Sequence, residues 1–332
     1  MQRVLFIGGP GNISSTAVEA VLARGDDLTI LTLPETDARG CRARILRGNR
    51  DDTELLRRTA EEVKPDVVVD FVCFKPAQAA AAASVFAGRV RQYVFVSTVD
   101  VYGYPLWRLP MPADGKIRPQ LSQYARDKHE CEGIFRSARD LPLTIFRPSY
   151  SFGVPFVLHV FSRSGGKMLV ARLRARRPVI VPGDGTTLIH AGAAANTGRM
   201  VARVVGHDRS IGRAYNGAHE YVLTHDEYIG LFAKVLGVEP QIVHVPTELL
   251  LPHEMKLIPD NLLSELTRYS LCFSTAEFMA DFPDFRYETT LEEAAAEYIR
   301  VHTAAGSIPA ATDTYEDRIA EAWRRAAAVF RP

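Results

Sequence analysis

The chain has 332 residues, a formal net charge of +1 and a hydrophobic fraction of 47%. A length of this order gives a large core, and the near-zero charge argues against nucleic acid or an anionic membrane as a partner. Four scattered cysteines without a C-x-x-C pair predict reduced thiols in a cytoplasmic protein, and no apolar run reaches the roughly eighteen residues that span a bilayer.

The chain opens on a predicted strand at residues 4–7, which leaves no room for a signal peptide. A glycine-rich turn and a predicted helix at 16–23 follow; the turn reads Gly8-Gly9-Pro10-Gly11-Asn12-Ile13. Glycines let the backbone turn sharply and approach a ligand closely, and the helix N-terminus offers N–H groups and a positive dipole end. Strand, turn and helix in this order predict a dinucleotide site that holds a pyrophosphate.

The second predicted strand, residues 28–33, bears on the choice of cofactor. An acid at the tip of this strand holds the ribose 2′-hydroxyl of NAD, whereas an arginine accepts the 2′-phosphate of NADP. Here the tip is Thr32-Leu33-Pro34-Glu35, and both Glu35 and Arg39 lie beyond the usual position. The sequence therefore favours NAD slightly and leaves NADP open.

Strands and helices alternate through the rest of the first 150 residues. Apolar runs predict strands, and the stretches between them predict helices, at 44–46, 53–63, 67–72, 75–87, 92–97, 122–137 and 143–146. This alternation indicates a parallel sheet that binds ligands at the carboxyl ends of its strands. We predict an α/β fold with a doubly wound parallel sheet (Rossmann) in a dinucleotide-binding domain, residues 1–150.

Beyond residue 150 the alternation weakens. A capping box at Thr224 and Glu227 predicts a helix that ends at Gly237, and a last amphipathic helix is predicted at 315–330. Proline-punctuated segments lie between them. We predict a smaller α/β substrate lobe, residues 151–332, with some of its segments returning to the first domain.

Tyr124 and Lys128 lie four residues apart on a predicted helix, so their side chains share a face. A tyrosine has a usual pKa of about 10, and a neighbouring ammonium stabilises the phenolate. Such a phenolate can take the proton of a hydroxyl while hydride leaves the same carbon. The same spacing also occurs on ordinary solvated helix faces.

Polar residues follow the strand predicted at 92–97. A hydroxyl at Ser97 or Thr98 lies at the ligand-binding edge and can orient a substrate alcohol, although strand-end hydroxyls also bond their own backbone. Asp100 is either a solvated turn residue or a second acid–base group.

Order and context together resemble the short-chain dehydrogenase/reductase superfamily, in its extended branch, the NAD-dependent epimerase/dehydratase family. The resemblance covers roughly residues 1–240; besides the glycine turn it is carried by Gly48-Asn49-Arg50-Asp51, Ser97-Thr98-Val99-Asp100-Val101-Tyr102-Gly103, Tyr124-Ala125-Arg126-Asp127-Lys128, Arg147-Pro148-Ser149 and Pro182-Gly183-Asp184-Gly185. The opening turn also resembles that of family members related to chloroplast stem-loop-binding proteins.

The resemblance implies that Thr98, Tyr124 and Lys128 form the catalytic group, with Lys128 also bonding the nicotinamide ribose. It implies cofactor contacts from Gly8, Gly11, Asn12, Ile13, Thr32, Asn49, Val72, Tyr124, Lys128 and Pro148. Candidate substrate contacts are Asp100, Tyr150 and Arg177. The implied enzyme binds NAD, acts on a small molecule such as a sugar or nucleotide sugar, and forms a homodimer.

Three departures from the family pattern concern the substrate and the reaction. Dehydratases of the family carry Thr-Asp-Glu at the strand end, whereas Thr98-Val99-Asp100 lacks the acid that protonates a leaving hydroxyl. Tyr150 replaces an expected substrate-contacting Asn, and the acid expected after the Gly-Asp-Gly turn is lost within residues 190–194. The last two departures weaken the case for a nucleotide sugar but leave the cofactor unaffected.

The sequence predicts an NAD(P)-dependent sugar or nucleotide-sugar epimerase that transfers hydride transiently and passes through a keto intermediate. One alternative is an NADPH-dependent ketoreductase of a natural-product pathway, and another is a catalytically silent RNA-binding relative. A basic stretch could clamp a substrate diphosphate, grip RNA or form a solvated helix face: Arg163, Lys167, Arg172, Arg174, Arg176 and Arg177. The nine histidines show no metal-ligand spacing, so no metal is predicted.

Overall fold

A computed structural model describes residues 1–162, 165–251, 262–312 and 315–329. The chain divides into two compact units. The first comprises Met1–Ser151, Ala194–Glu220 and Phe273–Glu288, and the second comprises Phe152–Ala193, Tyr221–Cys272 and Thr289–Pro332. Two later segments thus belong to the unit that holds the N-terminal turn.

The first unit is built on a seven-stranded parallel sheet. Its strands, numbered in chain order, are β1 (Arg3–Ile7), β2 (Asp27–Thr32), β3 (Arg44–Arg47), β4 (Val67–Asp70), β5 (Gln92–Val96), β6 (Leu143–Pro148) and β11 (Ala214–Gly217). Their order is β11-β6-β5-β4-β1-β2-β3. The order reverses between β4 and β1, and doubly wound sheets bind ligands at the carboxyl edge beside such a reversal. The predicted Rossmann fold is confirmed.

Helices cover both faces of this sheet. They are α1 (Ser14–Ala23), α2 (Thr53–Val63), α3 (Pro76–Phe86), α4 (Gln123–Ser137), α6 (Ala194–Val204) and α8 (Ala276–Asp281). Alternate residues of β1 point to opposite layers, as strand geometry requires: Val4 and Phe6 pack with α1, α6 and α8, whereas Leu5 and Ile7 pack with α2, α3 and α4. Each predicted element of the first 150 residues is present, with ends that differ by no more than two residues.

The second unit combines helices with short strands. Its helices include α5 (Gly166–Arg174), α7 (His225–Leu236), α9 (Leu291–Ala304) and α10 (Tyr315–Ala328). Strands β8 (Pro178–Pro182) and β13 (Gln241–Val245) pair in parallel, and β9 (Leu188–Ile189) pairs with β12 (Leu223–Thr224). The remaining short strands of the chain are β7 (Tyr150–Phe152) and β10 (Ala191–Ala193).

The predicted helix signals of this region are confirmed. The Thr224–Glu227 capping box starts α7, and Gly237 ends that helix in the left-handed conformation. The last helix runs to Ala328, while Phe330, its predicted end, lies outside the described residues. None of the helices that the structure describes has the length and apolarity needed to cross a bilayer.

Candidate functional site

The glycine turn after β1 fits a dinucleotide pyrophosphate. Gly8 and Gly9 have φ angles of 89° and 111°, and a Cβ on Gly8 would lie 2.6 Å from Val72 Cγ1. Within the described residues, the N-cap residue of α1, Ile13, makes no side-chain cap hydrogen bond, and the first turn of α1 holds no acid. The Ser15 N–H of that turn donates to the Gly11 carbonyl at 3.0 Å, and the positive end of the helix dipole points to the glycine turn, which suits an anion.

Asn12 fastens this turn within the first unit. Its Nδ2 donates to the carbonyl of Ser151 at 2.7 Å, and its Oδ1 is buried without a partner among the described residues. Gly11 is exposed at the turn, and Ile13 packs against the core layer around α1. Contacts from Gly8, Gly11, Asn12 and Ile13 to the cofactor stay predictions.

The tip of β2 carries neither of the usual signals for the adenosine ribose. Thr32 is buried at the end of the strand, and Glu35 is exposed in the loop beyond it. Arg39 is exposed and pairs with Asp37 at 2.8 Å. Asn49 is exposed, and its Oδ1 accepts the N–H of Asp51 at 3.0 Å. The choice between NAD and NADP stays open at this tip.

A buried ion pair that the sequence reading missed fixes the end of β4. Arg50 Nη2 donates to Asp70 Oδ2 at 2.6 Å, and the Tyr93 hydroxyl donates to the same oxygen at 2.8 Å. Asp70 Oδ1 accepts the N–H of Val72 at 3.1 Å. The pair therefore holds Val72 against the glycine turn. The sequence signal for this ion pair was Asp70, a charged residue at the end of an otherwise apolar strand.

Lys128 lies at the carboxyl ends of the two central strands β4 and β5. Its side chain is only 1% exposed, and Nζ donates to the carbonyls of Cys73 at 2.9 Å and Val96 at 2.7 Å. Burial lowers the pKa of Lys128 to about 8. The ammonium is thus fixed at the sheet edge where the fold class binds ligands.

Tyr124 lies one turn earlier on the same helix and reaches the surface. The tyrosine is 38% exposed, and its ring centroid lies 6.4 Å from that of Phe74. The two members of the predicted pair therefore differ in environment, because Lys128 is enclosed while Tyr124 is open to a ligand.

Thr98 caps the 3-10 turn Val99–Tyr102 that follows β5. Its Oγ1 accepts the N–H of Asp100 at 3.2 Å, and the residue is 8% exposed. The backbone-bonding interpretation of this hydroxyl is therefore correct. Its proton has no acceptor among the described residues, so Thr98 can still donate to a substrate oxygen. Ser97, by contrast, donates to Glu132 at 2.7 Å.

Asp100 is buried, which rules out a solvated turn residue. Its Oδ1 accepts the hydroxyls of Tyr104 at 2.8 Å and Tyr150 at 2.5 Å, and the two hydroxyls lie 3.4 Å apart. Burial first, and then the Asp100 carboxylate, raises the pKa of Tyr150 well above its usual value, so this phenol stays protonated. Asp100 and Tyr150 were predicted as substrate contacts, whereas Tyr104 was missed.

A second buried ion pair joins α4 to β6. Glu132 receives two hydrogen bonds from Arg147, at 2.8 and 2.6 Å, and both side chains are 3% exposed. Arg147 Nη1 also donates to the Tyr102 hydroxyl at 2.8 Å. Pro148, a predicted cofactor contact, is buried directly after Arg147 at the end of β6. The pair links the helix of Tyr124 to the turn that Thr98 caps.

Cys73 lies in the core beside Lys128 and is unsuited to act as a nucleophile. Its Sγ is 4.0 Å from that of Cys131, and both thiols are reduced and buried. This contact and burial raise the pKa of Cys73. A protonated buried thiol reacts slowly.

The basic stretch does not form one solvated face. Arg172, in the second unit, is fully buried and donates to Asp317 at 2.9 Å. Arg177 lies 3.5 Å from the same carboxylate. Arg163 lies outside the described residues. The interpretation as a solvated face is wrong for Arg172, while the substrate contact by Arg177 stays a prediction.

Comparisons with known proteins bear on the family and the fold of the chain. The chain is 28% identical over 265 residues to 2'-dehydrokanamycin reductase of Streptomyces kanamyceticus, covering 74% of this chain and 70% of that protein. It is 24% identical over 258 residues to a chloroplast stem-loop binding protein of 41 kDa of Arabidopsis thaliana, covering 73% of this chain and 66% of the relative.

The solved structure of dTDP-glucose 4,6-dehydratase from Bacillus anthracis, in complex with NAD, shares the fold. The TM-score is 0.70 at 16% identity, with 92% of this chain and 97% of that chain covered. The sequence profile of the family described as NAD dependent epimerase/dehydratase matches residues 4–217. Since this match spans well over half of the sequence, the chain belongs to the NAD-dependent epimerase/dehydratase family, as its motifs predicted, and NAD is the cofactor of that family.

Proposed function

We propose that the chain is an epimerase that oxidises a sugar hydroxyl to a ketone and reduces it again on the opposite face. The observation that carries this proposal is the position of Lys128. Its ammonium donates to the carbonyl of Cys73, in the loop after β4, and to that of Val96, which ends β5 two residues before Thr98. Tyr124 lies one helical turn away and is open to a ligand. These side chains suit alcohol–ketone chemistry at the sheet edge.

Each side chain has a distinct part in the proposed reaction. The Tyr124 phenolate takes the proton of the sugar hydroxyl and later returns it to the ketone oxygen. The Lys128 ammonium stabilises that phenolate, and the Thr98 hydroxyl donates to the reacting oxygen. NAD, held at the glycine turn, supplies the site that accepts and returns a hydride. The ketone rotates within the site, so that its other face is exposed to reduction.

Net dehydration is disfavoured by the residue between Thr98 and Asp100. Val99 stands where dehydratases of the family carry an acid, and it is apolar and 1% exposed. No proton donor for a leaving hydroxyl is therefore available at that position. This supports epimerisation or simple reduction over elimination.

A ketoreductase is the second candidate, because a relative with 28% identity over most of the chain is a 2'-dehydrokanamycin reductase. The two candidates differ in how they use the dinucleotide. An epimerase regenerates its cofactor in every cycle and should retain it through purification, whereas a reductase consumes reduced cofactor stoichiometrically. Mass spectrometry of the dinucleotide in the purified protein, followed by turnover with none added, separates the two. The RNA-binding alternative loses part of its basis because Arg172 is buried.

The test of the chemistry is Tyr124→Phe, with Tyr221→Phe as a control at another exposed tyrosine. Epimerisation of a panel of hexoses and UDP-hexoses is followed by NMR. We expect the Tyr124 variant to lose about 10²–10⁴-fold in kcat, as removal of a general base does, while it still binds NAD. The Tyr221 variant should keep wild-type turnover. Equal kcat in both variants would exclude the proposed role of Tyr124.

A further inference from the structure

Asp100 differs from the other buried acids of the chain. In the described ranges, five carboxylates are buried: Asp70, Asp100, Asp127, Glu132 and Glu316. Four of them have a cationic partner. The pairs are Asp70–Arg50, Asp127–Lys75, Glu132–Arg147 and Glu316–Arg172. Asp100 has none among the described residues. Buried charges in proteins are normally paired, so this carboxylate lacks its usual complement.

The hydrogen bonds of Asp100 leave one oxygen available. Both phenols donate to Oδ1, and no described residue donates to Oδ2. The basic residue Arg118 belongs to the loop that follows this turn, but its guanidinium is stacked 3.6 Å above the Trp107 ring. It forms no ion pair with Asp100. A cation that neutralises the carboxylate would therefore have to come with a ligand.

Asp100 is also placed where a substrate would be. It lies two residues after Thr98, whose Oγ1 accepts its backbone N–H. Tyr104 and Tyr150 line the carboxylate and orient it through their hydroxyls. A diphosphate would instead meet a negative charge here without a basic partner among the described residues, which makes binding unfavourable.

We propose that Asp100, with Tyr104 and Tyr150, forms a subsite for the ammonium group of an amino sugar. This inference rests on the proposed function, because it assigns a substrate class to the same site. The carboxylate pairs with the ammonium, while the phenols keep the carboxylate oriented. The 2'-dehydrokanamycin reductase relative bears the name of a substrate of this chemical class.

The experiment compares two ligands with the same skeleton and different charge. Binding of kanamycin and of its per-N-acetylated form to the full chain with NAD is measured by isothermal titration calorimetry. We expect kanamycin to bind at least about tenfold more tightly, which corresponds to about 1.4 kcal/mol. Asp100→Asn, which keeps an oxygen acceptor for the phenols, should abolish that preference. Asp114→Asn, at an exposed acid of the neighbouring loop, should preserve it.

Wild-type protein alone can overturn the proposal, so it stays testable if Asp100→Asn does not fold. Equal affinity for the two ligands, no detectable binding of kanamycin, or tighter binding of UDP-glucose than of kanamycin would each do so. So would an Asp100→Asn variant that keeps the preference. Failure of the proposed chemistry looks different, because a Tyr124→Phe variant that still turns over substrate would leave this binding preference intact.

Discussion

At the N-terminal turn, Gly8 has no side chain, so the backbone can lie close to Val72, which follows β4. A Cβ on Gly8 would lie 2.6 Å from Val72 Cγ1, and Gly8 has a φ of 89°. Gly25 has a similar φ of 80°, but a Cβ there would meet no described atom within 4 Å, so this position isolates the effect of φ alone. A comparison of substitutions at Gly8 and Gly25 therefore separates backbone strain from steric overlap.

We expect Gly8→Ala to be more destabilising than Gly25→Ala. A left-handed conformation costs an L-residue about 1–2 kcal/mol, and overpacking adds about 1–3 kcal/mol at Gly8 only. Urea unfolding measures the difference, and the thermal shift on adding NAD should be lost in the Gly8 variant alone. Equal unfolding midpoints in the two variants would show that Val72 moves aside easily.

Single residues also show where sequence reasoning stops. The four-residue spacing of Tyr124 and Lys128 predicts a shared helix face, but not that Lys128 is buried and donates to carbonyls at the end of β5 and in the loop after β4. That arrangement depends on which strands are neighbours in the sheet. The surroundings of Asp100 depend on Tyr150, which is 50 residues away in sequence. Contacts between residues so far apart in the chain produce no local sequence pattern.

At the scale of elements, α4, the helix that carries Tyr124, begins at a defined cap. The Ser122 side chain accepts the N–H of Ala125 at 3.2 Å at the start of α4, and Thr224 accepts the N–H of Glu227 at the start of α7. Ser122→Ala and Thr224→Ala should each cost about 1 kcal/mol, as the loss of an N-cap does. Urea unfolding checks the stability change.

Only the Ser122 variant should also lower kcat, because fraying of the first turn of α4 displaces Tyr124, two residues after the cap. Turnover assays on both variants decide this point. A matching fall in kcat for Thr224→Ala would mean that activity follows overall stability rather than the position of Tyr124.

The Glu132–Arg147 pair holds α4 and also acts on Lys128. Glu132 is one of the acids that raise the pKa of Lys128, although burial, the largest effect, lowers it to about 8. Glu132→Gln should therefore lower the pKa of Lys128 further. In the proposed reaction, activity requires the ammonium and is lost as pH rises through its pKa, so the alkaline limb of the kcat profile should move to lower pH.

Removing one partner of a buried pair also costs about 3–5 kcal/mol of stability, which urea unfolding would measure. Arg136→Gln is the matched control, since Arg136 is a half-exposed partner 3.8 Å from the same carboxylate. An exposed pair contributes less than about 1 kcal/mol, so this control should change little. An unshifted alkaline limb in Glu132→Gln would contradict the electrostatic link to Lys128.

Across the whole molecule, the alternating pattern of the first 150 residues is enough to predict the parallel sheet. It cannot show that residues 194–220 supply β11 at the sheet edge and α6 beside α1. The amphipathic pattern of a helix such as α6 shows which face is apolar, but it does not show which element packs against that face. The homodimer stays a prediction, to be checked by light scattering coupled to size exclusion.

The second unit contains a buried group that should make the protein sensitive to acid. His225 is 2% exposed, and burial lowers its pKa to about 4 from a usual value of 6.5. Between these values the unfolded chain binds a proton that the folded chain does not. Stability is therefore complete above the usual pKa and is lost as pH falls toward the lower one.

Between pH 7 and pH 5, protonation of His225 in the unfolded chain should lower the free energy of unfolding by about 2 kcal/mol, given about 1.4 kcal/mol per pKa unit. Burial also lowers the pKa of His159, which adds a loss of the same sign. In His225→Leu the fall in unfolding free energy between these pH values should shrink by that amount, measured by urea unfolding. Replacing the exposed His129 with Gln should leave the fall unchanged. An equally steep fall in His225→Leu would assign the acid sensitivity to other groups.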